Sequence, residues 1–260
     1  MIRWLAALLV LIAAPAAALD SGTASGRYTR DGFSVAFAHA VALSCDNAEG
    51  LLDASGIRVL LSDVEVPVDA ILGPVEPLAQ TMAHGGKLRG VILEFDPADR
   101  TVLHAQVLDG GEAVTSLNLA DTEGVWKALT IANGRIRGAL AGEELTAEFD
   151  APIATDPVVE ELKGTAATAS PFAKLIQTQA AELQAGDFAA MKAILTDRRW
   201  AVIDKLPPEA RTAARAQAAE LRANAAAIDR ILIRRTTATA LHGKDIMGLF
   251  RREGGTWKLD

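Results

Sequence analysis

Residues able to carry acid–base, nucleophilic or metal chemistry are sparse in this chain and do not cluster. His39, His84, His104 and His242 lie far apart, with no i, i+4 pair and no cysteine nearby, so zinc-ligand spacing is missing. His39 and His104 fall on strand-like segments and could meet across a sheet, although a strand histidine is more often simply satisfied where it sits. Cys45 is the only cysteine. It reads as a small side chain at a strand end rather than a nucleophile, and it has no intramolecular disulfide partner. The chain has no Gly-x-Ser-x-Gly elbow, Walker loop or Rossmann fingerprint, and Gly85-Gly86 and Gly110-Gly111 read as turn or stop glycines. Three arginine pairs remain: Arg198-Arg199, Arg234-Arg235 and Arg251-Arg252. They could meet an anionic partner or a lipid head group, but the plainer reading is a solvated sheet edge, where charge discourages edge-to-edge association. No catalytic or metal-binding residue is assigned, no cofactor is expected, and the ligand-binding residues stay unassigned.

The elements that would position these residues divide into two kinds. From Arg27 to Phe149, short apolar alternations are separated by turn residues every eight to twelve positions, as in an antiparallel sandwich. Strands are expected at Phe33–Leu43, Ile57–Leu61, Leu88–Phe95, Thr101–Leu108, Ala113–Leu119, Val125–Ile131, Arg135–Leu140 and Leu145–Phe149. Asp31-Gly32 and Asn133-Gly134 are hairpin signals. A short helix is expected over Leu78–Ala83. Ala151 to Ser170 shifts to Pro, Thr and Ala and reads as a linker.

Beyond the linker the period becomes helical. Ser170-Pro171 places a hydroxyl at the N-cap and proline at the first helical position. Phe172, Leu175, Ile176, Gln179 and Leu183 make one stripe, which Gly186 ends. Asp187 should cap a second helix with the face Phe188, Met191, Ile194 and Leu195, and a third should run from Pro208 to about Ala227. Strand patterns follow at Ile231–Ala240, Ile246–Arg252 and Trp257–Leu259. Helices followed by an antiparallel sheet make an α+β unit.

Half of the residues are hydrophobic and 23% are charged, which places the chain in the ordinary globular class. Only 5% are aromatic, which argues against a nucleic-acid stacking platform and so against a nucleic-acid partner. Arg3, the apolar run Trp4–Ala14, Pro15 and Ala16-Ala17-Ala18 have the order of a signal peptide, residues 1–18, with cleavage near Ala18. The expected location is periplasmic or secreted, with no transmembrane segment once the signal is removed. The net charge of −7 is split: residues 19–165 carry 23 acidic and 10 basic side chains, whereas residues 166–260 carry 10 acidic and 15 basic. Two halves of opposite sign should attract one another across an interface; a basic face for an anionic partner is the other reading.

Two resemblances follow from these residues. Ala185-Gly186-Asp187-Phe188, two further helices and the ending Gly254-Gly255-Thr256-Trp257-Lys258-Leu259-Asp260 resemble the nuclear transport factor 2-like superfamily over roughly Ser170 to Asp260. That resemblance implies a curved sheet around helices, an apolar pocket and sheets that often pair into dimers. The chain departs from it in having about three recognisable strands there. The superfamily's isomerase-like members need a general base in the pocket, yet Tyr28 lies in the other half and Asp229 and Asp245 sit at strand ends. In the first half, Asp31-Gly32-Phe33, His39-Ala40-Val41-Ala42, Leu60-Leu61-Ser62-Asp63 and Phe149-Asp150-Ala151-Pro152-Ile153 resemble an exported bacterial β-domain of unassigned function.

The expectation is therefore α+β with two domains: an N-terminal antiparallel β-sandwich at 24–153, a linker at 154–169, and helices packed on a small curved antiparallel sheet at 170–260. The expected function is that of a non-enzymatic binding or interaction protein of the bacterial cell envelope. The alternative is a small apolar-ligand-binding or isomerase-like protein using the C-terminal cone. Candidate partners are an envelope protein, a small apolar ligand, or a second copy pairing through the C-terminal sheet.

Overall fold

A computed structural model describes residues 22–52, 55–75, 77–110, 115–116 and 126–260 of the chain. The signal-peptide expectation for residues 1–18 lies outside the described residues, as do most of the strand expected at 113–119 and the first residue of that expected at 125–131. The described chain is α+β, with one large curled sheet, a second small antiparallel sheet and six α-helices.

The large sheet contains β1 (Gly22–Arg30), β2 (Phe33–Ala36), β3 (His39–Cys45), β4 (Gly56–Ser62), β5 (Gly90–Phe95), β6 (Val102–Leu108), β7 (Thr115–Ser116), β8 (Trp126–Ala132), β9 (Arg135–Ala141) and β10 (Leu145–Thr155). Its order is β7-β6-β5-β4-β3-β1-β10-β9-β8, with β2 beside β1. Both expected hairpin turns form: Asp31-Gly32 joins β1 to β2 and Asn133-Gly134 joins β8 to β9, all four residues at positive φ as a type I′ turn requires. Among the described residues of the large sheet, one parallel pairing sets Ile153, Ala154 and Thr155 of β10 against Ala42, Leu43 and Ser44 of β3. The curl brings distant strands together, so that Phe95 of β5 stacks on Trp126 of β8 at 4.8 Å.

The middle of this sheet is buried on both faces, and β4 and β5 have no exposed residue. Tyr28, Val59, Leu93, Phe95, Trp126 and Phe149 fill the inside of the curl. On the other face Leu60, Ile92 and Leu108 are covered by a 3₁₀ turn (Val68–Ile71) and by α1 (Pro77–His84). Strands buried this way read as continuous apolar runs, as Val91-Ile92-Leu93 does.

The small sheet has five strands in sequence order: β11 (Glu160–Lys163), β12 (Arg230–Ile233), β13 (Thr237–His242), β14 (Asp245–Glu253) and β15 (Thr256–Leu259). The expected three strands are corrected twice. The Ile231–Ala240 pattern breaks at residues 234–236 into β12 and β13, and β11 comes from within the stretch read as a linker. Residues 154–169 hold the end of β10, β11 and α2 (Thr165–Thr168), so this stretch is structured and part of both sheets.

Helix α3 (Pro171–Ala185) follows its sequence signals closely. The Ser170 hydroxyl accepts a hydrogen bond from the Ala173 amide at 3.2 Å, and Gly186 ends the helix in the left-handed conformation. A Cβ at Gly186 would also collide with the Arg215 guanidinium. Asp187 accepts from the Ala190 amide, but what it starts is a 3₁₀ turn (Ala190–Ala193), and Thr196 caps α4 (Asp197–Ile203) instead. The expected third helix is divided at Gln217 into α5 (Pro208–Ala216) and α6 (Ala218–Ala227).

Phe172 of α3 packs edge-on against Phe250 at 5.0 Å and Trp257 at 5.2 Å, so aromatic rings occupy the space between helices and sheet. Ile176, Met191, Leu195, Ile231 and Ala240 complete that core. Among the described residues, no helix is long and apolar enough to cross a membrane.

Candidate functional site at the joint of the two sheets

The small sheet uses both faces. Ile231, Ile233, Ala238 and Ala240 face the helices, whereas the alternate positions Leu232, Arg234, Thr237, Thr239 and Leu241 are buried on the opposite side. There the large sheet meets it. Arg234, at the end of β12, donates to both carboxylate oxygens of Glu49, at 2.5 and 3.1 Å, to Asp46 at 2.7 Å, and to the Asp156 carbonyl at 3.0 Å. Thr239 donates to Glu49 at 3.2 Å, and Arg230 reaches the Glu49 carbonyl. Glu49 and Asp46 stand on the loop after β3, and Asp156 follows β10. Although burial opposes its charge, Arg234 is held above the ordinary arginine value by the Glu49 and Asp46 carboxylates.

A second set of contacts lies at the far side of the joint. Arg198 of α4 donates to the Thr81 hydroxyl of α1 at 3.0 Å and pairs with Asp260 at 2.5 Å. Arg251 also pairs with Asp260 and touches the Asp69 carbonyl at 3.5 Å. Burial pushes the Asp260 carboxyl up, but Arg198 and Arg251 outweigh it and leave its pKa below the usual value. Arg199 donates to the Asp260 carbonyl at 2.7 Å, and burial lowers its own pKa.

Of the arginines read from sequence as a solvated edge, Arg235 and Arg252 are exposed, and the reading is corrected for Arg198, Arg234 and Arg251. Arg198, Arg234 and Arg251 point into the joint, while Arg252 lies over the Trp257 ring at 5.5 Å. In the contacts that cross between the halves the arginine comes from the basic half and the acceptor from the acidic half, and at Glu49 and Asp46 that acceptor is a carboxylate, so the charge split has a structural counterpart.

Beside Arg234 a cavity of about 50 Å³ opens between the two sheets. Its inner wall is a buried pair from the large sheet, Arg58 of β4 directly opposite Glu94 of β5. Arg58 places Nε at 2.9 Å and Nη2 at 2.7 Å on one Glu94 oxygen, and its Nη1 donates to the carbonyls of Ile71 and Gly73. Glu94 Oε1 is buried with no hydrogen-bond partner. Asp156 closes the wall near Arg234; burial raises its pKa despite the nearby Arg234 and Arg235 charges.

The histidines considered from sequence are not brought together. His39 pairs with Ser62, whereas His104 lies opposite Glu94. Burial, followed by the Arg58 charge, lowers the His104 pKa. His84 ends α1, and His242 meets Asp229 at 3.2 Å on an exposed turn. Cys45 is half-buried and lines the cavity. The residues that sequence reasoning passed over are Arg58, Glu94, Glu49 and Asp156. A signal existed for two of them: Arg58 and Glu94 interrupt apolar strands, and a charge in such a place is almost never buried without a partner.

A second concavity, a groove of about 440 Å³, crosses β8, β9, β10 and β1 on the outside of the curl. Small residues such as Ser25, Ala128 and Ala139 line it, with Asp150 held between Arg135 and Arg137 at one end. Compared with protein-family models, curated proteins and solved structures, the chain matches none.

Proposed function

We propose that this chain is an exported, non-enzymatic binding or interaction protein of the bacterial cell envelope, with a β-sandwich-like first unit and a nuclear transport factor 2-like second unit. The observation that carries the reading is the use of charge at the joint. Arg198, Arg234 and Arg251 contact the first unit, and Glu49 and Asp260 are each held by an arginine. An acid that must act as general base needs a proton-accepting lone pair in reach of substrate. Carboxylates clamped by guanidinium groups instead make a frame that holds two surfaces in fixed relation.

The alternative, an apolar ligand or isomerase-type substrate inside the C-terminal cone, has less support. The Phe172, Phe250 and Trp257 rings and Ile176 stand in that space. Pairing of two copies through the C-terminal sheet would have to use β14 and β15, because the outer face of β12 and β13 is covered by the first unit.

The test is affinity capture of the tagged protein from envelope extract, followed by mass spectrometry of what is retained. A reproducible protein partner is expected. A co-purifying lipid or apolar small molecule with no protein partner overturns the reading in favour of the ligand pocket.

A further inference from the structure

Among the described residues, the strands pass from one sheet to the other once. β1 to β10 all lie in the large sheet and β11 to β15 in the small one, so Asp156-Pro157-Val158-Val159 makes the crossing. These four residues belong to no helix or strand. Pro157 has no amide hydrogen to give to either side, and the Val159 amide already bonds the Ile233 carbonyl of β12.

What holds the sheets to each other is unlike what holds either of them together. Among the described residues, no backbone-to-backbone hydrogen bond runs from the first unit to the second. The apolar clusters stop at the joint as well: two are built from the first unit alone and one from the second alone. Leu232 and Leu241 are buried on the joint face but lie outside these clusters. The hydrogen bonds that do cross are donated by side chains. At one end Arg230, Arg234 and Thr239 reach Glu49 and Asp46. At the other, Arg198 reaches Thr81 and Arg251 the Asp69 carbonyl. Side chains release and remake such bonds without disturbing the ladder of either sheet. Relative motion is the default for two units of one chain unless a large apolar interface joins them.

We propose that the joint is a latched hinge: the two units swing apart as rigid bodies about residues 156–159, with Arg234 on Glu49 as one latch and Arg198 on Thr81 as the other. Opening uncovers Leu232 and Leu241, which keeps the closed form in the majority. It also returns the Arg234 and Glu49 charges to water, which offsets part of the cost of parting them. The hinge needs no partner, so its failure and that of the interaction reading are separate outcomes.

The experiment combines small-angle X-ray scattering with labelling of Cys45, the only cysteine, which lines the joint cavity. The double variant Arg234→Ala, Thr81→Val cuts both latches. It should show a larger radius of gyration and a two-lobed distance distribution, while near-ultraviolet circular dichroism shows both cores still packed. In the wild type, a bulky maleimide should react with Cys45 at least tenfold more slowly than with the urea-unfolded chain. The rate should rise with urea far less steeply than global unfolding does, because a hinge exposes little surface. Thr81→Val alone should speed labelling about two- to tenfold, the effect of one lost hydrogen bond, although Thr81 does not line the cavity. Four results overturn the hinge: unchanged scattering in a folded double variant, a Cys45 rate that tracks global unfolding, a wild-type thiol as reactive as in the unfolded chain, or no acceleration by Thr81→Val. The wild-type urea dependence decides the matter if the double variant does not fold.

Discussion

Two arginine–carboxylate clusters in this molecule have nearly the same geometry and opposite surroundings. At the joint, Arg234 meets Glu49 and Asp46 at 2.5 and 2.7 Å, with the Arg234 and Glu49 side chains 8% and 6% exposed. On the outer face of the large sheet, Asp150 meets Arg135 and Arg137 at 2.8 and 2.7 Å, but there the Arg137 side chain is 69% exposed and that of Asp150 32%. Distance alone would rank them together. Solvent separates them, because water screens the outer cluster and competes for every hydrogen bond in it. At the joint, removing one partner leaves a charge that water cannot readily reach. The inner cluster also connects two sheets, whereas the outer one links neighbouring strands that backbone hydrogen bonds already hold.

The sharpest way to break this contrast is Arg234→Ala. It strands Glu49, whereas Asp46 at 40% exposure stays in reach of water, and the expected loss is roughly 3–5 kcal/mol, the range for breaking a buried pair. Because Arg234 joins two cores, urea denaturation should also change form, from one transition to two. The combined variant Arg234→Met, Glu49→Leu tests the cause. Replacing a buried pair by apolar side chains of similar volume is often neutral, so most of the lost stability should return. If it does not, the hydrogen bonds to Thr239 and the Asp156 carbonyl matter more than the ion pair.

The joint also marks where sequence reading stops. The elements around it were legible wherever local chemistry decides the backbone. Asn133-Gly134 can only serve a type I′ turn well, and Ser170-Pro171 together with Gly186 bounds α3 at both ends. β11 was not legible: its four residues, Glu160-Glu161-Leu162-Lys163, are mostly charged and form an edge strand through backbone bonds to β12. The break between β12 and β13 was hidden because Thr236-Thr237 continues the β-branched pattern across it. Glu49 is a loop residue 185 positions before Arg234, and nothing in local spacing links them. The opposite charges of the two halves did carry the attraction in coarse form, though not the residues responsible.

A smaller effect should appear in the pH dependence of stability. His104 lies beside Glu94 and Arg58, with a side-chain hydrogen bond to Gln106 that favours the protonated ring, and burial nevertheless holds its pKa below 6.5. A histidine with a lowered folded pKa binds fewer protons than the unfolded chain in the interval between the two values. Its neutral form therefore supports the fold fully above pH 6.5, and that support is lost as pH falls from 6.5 through the folded value. Asp260, also lowered, adds a loss only below its unfolded value of 3.8, whereas Asp156, raised by burial, acts in the opposite direction. His104→Gln should remove the decline that begins near pH 6.5 and leave the one at lower pH, as read from urea midpoints across the range.

The smallest effect is expected where the distances look just as good. Asp150→Asn removes the charge shared by Arg135 and Arg137 and one of its two acceptor oxygens, yet both guanidinium groups remain in reach of water. The denaturation midpoint at neutral pH should hardly move. Arg137 and Arg135 hold the Asp150 pKa below 3.8, so its contribution is present above that value and lost as pH falls through the folded one. Added salt should shrink what difference there is, while the deficit of Arg234→Ala should persist. A large, salt-insensitive loss in Asp150→Asn would mean that burial is not what separates the two clusters. The groove beside Asp150 would then be a structural support of the β8–β9–β10 face rather than an open surface.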